Sequence, residues 1–258
     1  MNEQEHKIFK GFEGLNIPKD ETPESLQRTE AWFEARRGRF TASGIKNLMG
    51  VTRATSRMQW GNPAKNIDFN DKALKYIYSK AKERQRGKVV ETPATAAMRY
   101  GTQYESTIKE VLTTKYFPGL RITETGFIEF IKGVAGASPD GLIKDKKLNL
   151  EVKAATSWDT LWQRTEEPFD EQAVDFWQIQ TQMIATGYAK TMYVIAEPPR
   201  NLFEPEITDL VVRFVDASQM HQQAILERCK IGNEIINKYL KTGDNFREIA
   251  FNVLSKWK

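Results

Sequence analysis

Three charged residues stand close together in the stretch ASPDGLIKDKKLNLEVKAAT, residues 137–156: Asp140, Glu151 and Lys153. Side chains alternate along a strand, so in LNLEVKA the Glu151 and Lys153 side chains project to one face and Leu150 and Val152 to the other. Asp140, at the start of the hairpin partner, comes alongside them. Two carboxylates about 5 Å apart repel by roughly 3 kcal/mol at an effective dielectric near 20, a cost that a divalent cation between them removes. Carboxylate, carbonyl and water oxygens suit Mg²⁺ or Mn²⁺. A lysine beside such a cation can stabilise a hydroxide nucleophile and the added charge of a pentacovalent phosphorane-like transition state. The bare pattern also fits a plainer reading: a Pro-Asp-Gly turn followed by the solvent face of an amphipathic edge strand.

The elements that must hold these residues follow from local pattern. GFIEFIK (126–132), GVAGA, DGLIKD and LNLEVKA read as short strands joined by tight turns. Before them, SLQRTEAWFEARRG predicts a helix with Leu26, Trp32 and Phe33 inward, and TASGIKNLMG opens a second helix that Thr41 or Ser43 is able to cap. Residues 51–70 read as a loop, KALKYIYSKAKE as a helix, and after Thr92-Pro93 a long helical pattern runs to about Tyr116. Beyond the strands, DEQAVDFWQIQTQMIATG predicts a crossover helix ended by Gly187, TMYVIAEP and DLVVRFVD predict two more strands, and a last helix stops at Gly243. This order predicts an α/β (α+β) fold, a central mixed sheet flanked by helices. Residues 1–258 contain no repeat, low-complexity segment or clear linker and read as one domain.

Composition restricts the chemistry. At 258 residues and 40% hydrophobic, the chain can build a sizeable core. No run approaches the roughly 18 apolar residues of a membrane span. The start MNEQEHKIFKGFEG lacks a secretory signal, so a cytoplasmic location is expected. One cysteine, Cys229, excludes an internal disulfide, and with only His6 and His221 as imidazoles a zinc site of thiolates and imidazoles is disfavoured. Any metal here needs oxygen ligands. From Glu34 to Val90 fourteen Lys and Arg stand against four Asp and Glu, a local +10 within a net +4. Such a segment suits a polyanion and, equally, a solvated face.

The spacing of Pro139-Asp140 and Glu151-Val152-Lys153 resembles the PD-(D/E)XK nuclease motif, and further segments resemble the lambda exonuclease and YqaJ-type phage recombination nucleases. WFEARRGRFTAS (32–43) looks like that family's W-x-x-x-R-x-G-x-x-T-A-S start, and RYGTQYE (99–105) is similar to its W-G-x-Q-Y-E helix. SPDGL (138–142) and LEVK (150–153) match its core, and QIQTQM (178–183) resembles its Q-V-Q-x-x-M helix. The five motifs come in the family's order and span about residues 24–197, leaving 198–258 and the segment from Gly44 to Ala97 unmatched.

The resemblance implies a PD-(D/E)XK, restriction-endonuclease-like core and assigns roles. Asp140, Glu151 and the backbone carbonyl of Val152 hold the metal, Glu105 adds an outer carboxylate, and Lys153 positions and activates water with Gln180 lying against it. Outside the motif, Glu105 would read as an exposed helix glutamate and Gln180 as an unremarkable polar position. Arg36, Ser43 and Ser138 correspond to a pocket for a 5′-phosphate, with Arg37 and Arg39 as alternatives. A guanidinium binds phosphate bidentately, and hydroxyls near a helix N-terminus add donors. Trp32 is expected in the core. Met98 falls where the family places an apolar wedge that splits terminal base pairs, although a core role suits methionine as well.

By the same resemblance the chain is expected to be a Mg²⁺-dependent 5′→3′ exonuclease on linear double-stranded DNA. It would use two metal ions per site, with Mn²⁺ able to substitute, and release 5′-mononucleotides, exposing 3′ single strands for recombination. A single-strand annealing protein as partner, a ring-shaped trimer and a bacterial or phage-infected cytoplasm are implied with it. The alternatives are an endonuclease built on the same core, resolvase- or restriction-like, and a non-catalytic DNA-binding scaffold.

Overall fold

The computed structural model describes residues 27–89, 95–199, 206–207 and 209–257. Leu26 and the Thr92-Pro93 helix start lie outside them. Thr29 caps helix α1 (Glu30–Arg36) by accepting from the Trp32 N–H, and β1 (Phe40–Thr41) follows. The inward face expected of α1 does not form: the helix buries none of its residues, and Phe33 is 47% exposed. At two turns it is too short to carry an apolar stripe. Its contacts are polar and run to the site described below.

After α2 (Ile45–Leu48), residues 51–70 are irregular apart from α3 (Pro63–Asn66). They are held from inside by one arginine. Arg228 is fully buried and donates to the carbonyls of Leu48 (2.6 Å), Gly50 (3.0 Å), Lys65 (2.9 Å), Asn66 (3.1 Å) and Asp68. Burial lowers its pKa to about 9, and the carbonyls supply the partners that a buried cation requires. Then come α4 (Asp71–Arg86), capped by Asn70, and α5 (Ala96–Val111), capped by Thr95 and running into a single π turn over Leu112–Tyr116.

Strands β2 (Ile128–Ile131), β3 (Ala135–Ala137), β4 (Gly141–Ile143) and β5 (Leu148–Ala154) lie where the alternation predicts. Two helices, α6 (Trp158–Thr165) and α7 (Phe176–Thr186), carry the chain to β6 (Lys190–Ala196), parallel to β5, and β7 (Leu210–Asp216) returns antiparallel. The single mixed sheet expected from sequence is divided into β1-β3-β2 and β4-β5-β6-β7. The break falls at Ser138–Asp140, where Pro139 has no N–H to continue a ladder.

Within the second sheet β5 lies between β4 and β6 and is covered on both faces. Leu150 and Val152 pack with Ile108 of α5 and Leu112 of the π turn that follows it, while Ile179 and Met183 of α7 cover the opposite face with Tyr193 and Ile195. Burying each such leucine or valine contributes about 1.5–3 kcal/mol. A one-residue slip would exchange the two faces, so the apolar face fixes the register and sends Glu151 and Lys153 toward α7. The exposed edge strand that the bare pattern allowed is excluded: Glu151 is 0% exposed.

The long C-terminal helix α8 (Gln219–Thr242) ends at Gly243 (φ 70°), but it does not close the chain. Asn245 accepts from Arg247 N–H at 2.9 Å and starts α9 (Phe246–Trp257), which buries Ile249, Ala250 and Val253. No helix among the described residues is long and apolar enough to cross a membrane.

Candidate active site

The switch between the two sheets and the central strand of the second bring the carboxylates together. Asp140 donates its N–H to Leu150 O at 3.1 Å and accepts the Val152 N–H on Oδ2 at 2.7 Å. It is thereby fixed beside β5, one residue before β4 begins. The N–H and C=O of one strand residue point to the same side, so the Val152 carbonyl is directed toward the Asp140 edge. Glu151 Oε1 accepts from Lys153 Nζ and, at 2.6 Å, from Gln178 Nε2. Its Oε2 accepts from Gln182 Nε2 at 2.5 Å. Glu105, on α5, is near enough to Asp140 to raise its pKa, but its own oxygens are taken by Lys109 Nζ (2.9 Å) and Arg28 Nη2 (2.7 Å).

The electrostatics are those of a buried acid pair that one lysine compensates only in part. Burial first, then Glu151, pushes the Asp140 carboxyl well above the usual aspartate range. Burial also raises Glu151, against the pull of Lys153. Burial would lower Lys153, but Glu151, Asp175 and Asp140 together raise it, so the ammonium stays charged. Among the described residues no group of three or more His, Cys, Asp or Glu gathers as a metal cluster. The donors that do converge are two carboxylates and a backbone carbonyl. These hard oxygens fit Mg²⁺ or Mn²⁺, which keep several waters, better than an all-protein cage metal.

Helix α7 sorts its glutamines by periodicity. Gln178 and Gln182 are four apart and share the face toward Glu151; Lys153 Nζ also lies 3.4 Å from Gln178 Oε1. Gln180, assigned to the lysine from sequence, points the other way. It donates to Asp216 O at 3.0 Å and accepts from Ser218 N–H at 2.8 Å, tying β7 to the start of α8. The motif locates the helix correctly but not its phase.

A second cluster adjoins the first. Arg36 Nη2 donates to Ser43 Oγ at 3.1 Å, and its guanidinium lies 4.0 Å over the ring of Trp32. The Trp32 indole N–H in turn donates to Ser138 Oγ at 2.9 Å. The structure thus gathers Arg36, Ser43 and Ser138 through Trp32, which is half-buried at this cluster and not in the core. Ser43 makes no helix cap; Gly44 occupies the cap position of α2. Burial lowers the Arg36 pKa to about 10, which leaves it charged at neutral pH. The alternatives are otherwise engaged: Arg37 with Gly87 O and Glu34, Arg39 with Glu129. Met98 is 56% exposed in the first turn of α5, seven residues before Glu105 and on the same helix face, so a core role is excluded.

The sequence reading missed Trp32, Gln178 and Gln182. The signal was present for the glutamines, since of Gln178, Gln180 and Gln182 only the first and last, at i and i+4, share a helix face.

Residues 31–189 match the model of the YqaJ-like viral recombinase domain. A crystal structure of LHK-Exo in complex with dAMP is similar over 83% of this chain and 96% of its own, at 25% identity and a TM-score of 0.63. A second structure of the same protein, an alkaline exonuclease from Laribacter hongkongensis, gives a TM-score of 0.62 at 25% identity over the same shares of the two chains. A phage-related exonuclease from Haemophilus somnus 129PT shares the fold at a TM-score of 0.60 and 14% identity, over 80% of this chain and 96% of that one. Among curated proteins none matches. The matched residues run from α1 through α7 and enclose both clusters, and the chain belongs to the YqaJ-like viral recombinase family.

Proposed function

We propose that this protein is a divalent-cation-dependent 5′→3′ exonuclease that digests linear double-stranded DNA to 5′-mononucleotides and leaves 3′ single strands for recombination. The observation that carries this reading is the adjacency of the two clusters. Ser138 and Asp140 are two residues apart, a span of at most about 7 Å. A terminal phosphate held by Arg36, Ser43 and Ser138 therefore lies on the order of one nucleotide step from a phosphate at Asp140 and Glu151. An endonuclease has no use for an end-anchoring pocket at that spacing. The dAMP bound by LHK-Exo, a mononucleotide, agrees with such a product.

Asp140, Glu151 and the Val152 carbonyl would hold Mg²⁺ or Mn²⁺, by the family resemblance two ions per site, with Glu105 as an outer carboxylate. When bound, the cation supplies a Lewis acid that activates the attacking water and takes up charge on the leaving oxygen. Lys153 directs its ammonium at the in-line water and the charge gathering on the phosphate. Gln178 and Gln182 orient the Glu151 carboxylate, Gln182 also reaching Ser138 O at 3.5 Å. Arg36 grips the end through charge-assisted bonds, with Trp32 holding its plane. Met98, exposed on α5, would serve as the wedge against the terminal base pair. The family resemblance further implies a trimeric ring and a single-strand annealing partner. Several basic residues of the 34–90 segment, Arg53, Arg57, Lys72, Lys75, Arg86 and Lys88, are exposed and available to a DNA backbone.

A duplex phosphorylated at the 5′ end of one strand tests the polarity. The phosphorylated strand should be consumed first and its complement recovered intact; loss from 3′ ends would overturn the reading.

A further inference from the structure

Lys153 has two carboxylates within reach. Its Nζ lies against Glu151 Oε1 and 3.9 Å from Asp175 Oδ1. Asp175, the last residue before α7, is 6% exposed and uses its two oxygens differently. Oδ2 accepts from Arg164 Nε at 2.8 Å and from the Tyr193 hydroxyl at 2.7 Å, bonds that come from α6 and β6 and fix the carboxylate between them. Oδ1 is left facing the ammonium. Burial alone would raise the Asp175 carboxyl, but Lys153 and then Arg164 hold it below the usual aspartate range, so the acceptor stays charged.

An ammonium and a divalent cation cannot share Glu151 without repelling each other. We propose that Asp175 is a positioning residue that receives Lys153 when Glu151 is given over to a divalent cation, keeping the ammonium beside the reacting phosphate and off the cation's ligand. The displacement is small: closing 3.9 Å to a charge-assisted bond moves Nζ by about 1 Å. Gln178, 3.4 Å from Nζ, is neutral and offers no counter-charge. The proposal rests on Asp140 and Glu151 as the cation site.

The test is binding of Mn²⁺ alone, followed by electron paramagnetic resonance on the protein without DNA, with kcat and KM for DNA measured beside it. Asp175→Asn should raise the Mn²⁺ Kd about five- to tenfold, because the lysine remains on Glu151, and should lower kcat while leaving KM unchanged. In a Lys153→Ala background the same substitution should leave Mn²⁺ binding as it is, since there is no ammonium to redirect. A merely structural Asp175 would weaken binding in both backgrounds. Tyr193→Phe removes one bond to Asp175 Oδ2 and no charge; it should weaken Mn²⁺ binding about twofold, and it decides the matter if Asp175→Asn does not fold. Unchanged affinity in the deciding variant, or equal weakening in both backgrounds, overturns the proposal. If the wild type binds no Mn²⁺, or Glu151→Ala binds it as well as the wild type does, the cation-site reading falls and takes the proposal with it. Binding that Glu151→Ala abolishes and Asp175→Asn leaves untouched overturns the role of Asp175 alone.

Discussion

Ser138 and Asp140 flank Pro139 where the chain leaves one sheet for the other, and each belongs to a different cluster: Ser138 Oγ accepts from Trp32 and Asp140 Oδ2 from the Val152 N–H. One turn therefore joins the Arg36 cluster, proposed to hold an anion, to the Asp140–Glu151 pair, proposed to hold a cation. Pro139 ends the ladder of the first sheet, and Gln27 Nε2 donates to its carbonyl at 2.7 Å, bracing the turn from outside.

Asp140→Asn keeps the shape of the side chain and an oxygen for the Val152 N–H while removing one of two repelling charges. Nuclease activity should fall at least about a thousandfold, because a cation ligand is lost. The cation-free protein should become more stable by about 1–2 kcal/mol, from the relieved repulsion. Denaturant unfolding and initial rates check the two halves. A stability loss alongside the activity loss would mean that Asp140 is a structural residue.

Arg36→Ala should slow digestion of 5′-phosphorylated duplex and cut its advantage over 5′-hydroxyl duplex by about 10–100-fold, the worth of a charge-assisted phosphate contact. Trp32→Phe keeps a ring under the guanidinium but loses the N–H to Ser138, so it should erode the same ratio less. Equal slowing on both substrates would make Arg36 a general backbone contact.

The two kinds of glutamine on α7 should separate cleanly. Gln182→Leu removes a donor to Glu151 and should lower kcat by about tenfold or more with the fold intact. Gln180→Ala should cost about 1–2 kcal/mol of stability through its lost bonds at the β7–α8 junction and leave kcat unchanged. The reverse pattern would restore Gln180 to the site.

Arg228→Met removes a donor from five carbonyls, of which Gly50 O and Lys65 O keep the Asn70 and Asp68 N–H groups, and should destabilise the protein by about 3–5 kcal/mol, seen as a lower denaturation midpoint. A change below about 1 kcal/mol would show that water replaces the guanidinium.

What the sequence disclosed follows how local each cause is. The alternation of LNLEVKA placed Glu151 and Lys153 on one face without any knowledge of the partner strands. That the strand is central and not an edge was not legible, because β6, its second neighbour in the sheet, begins tens of residues later at Lys190. Helix α6 escaped for another reason: Trp158, Leu161 and Trp162 recur at i, i+3 and i+4, but over two turns the pattern is too short to stand out. The role of Asp175 depends on Arg164 and Tyr193 from two other elements and leaves no trace in spacing.

The most direct test of the account is product analysis on two substrates of the same sequence, a linear 5′-phosphorylated duplex and a covalently closed circle, each incubated with Mg²⁺ and with EDTA. The account predicts 5′-mononucleotides from the linear duplex with Mg²⁺, an intact circle, and no cleavage in EDTA. Nicked or linearised circles, oligonucleotide products, or digestion that persists in EDTA would contradict it.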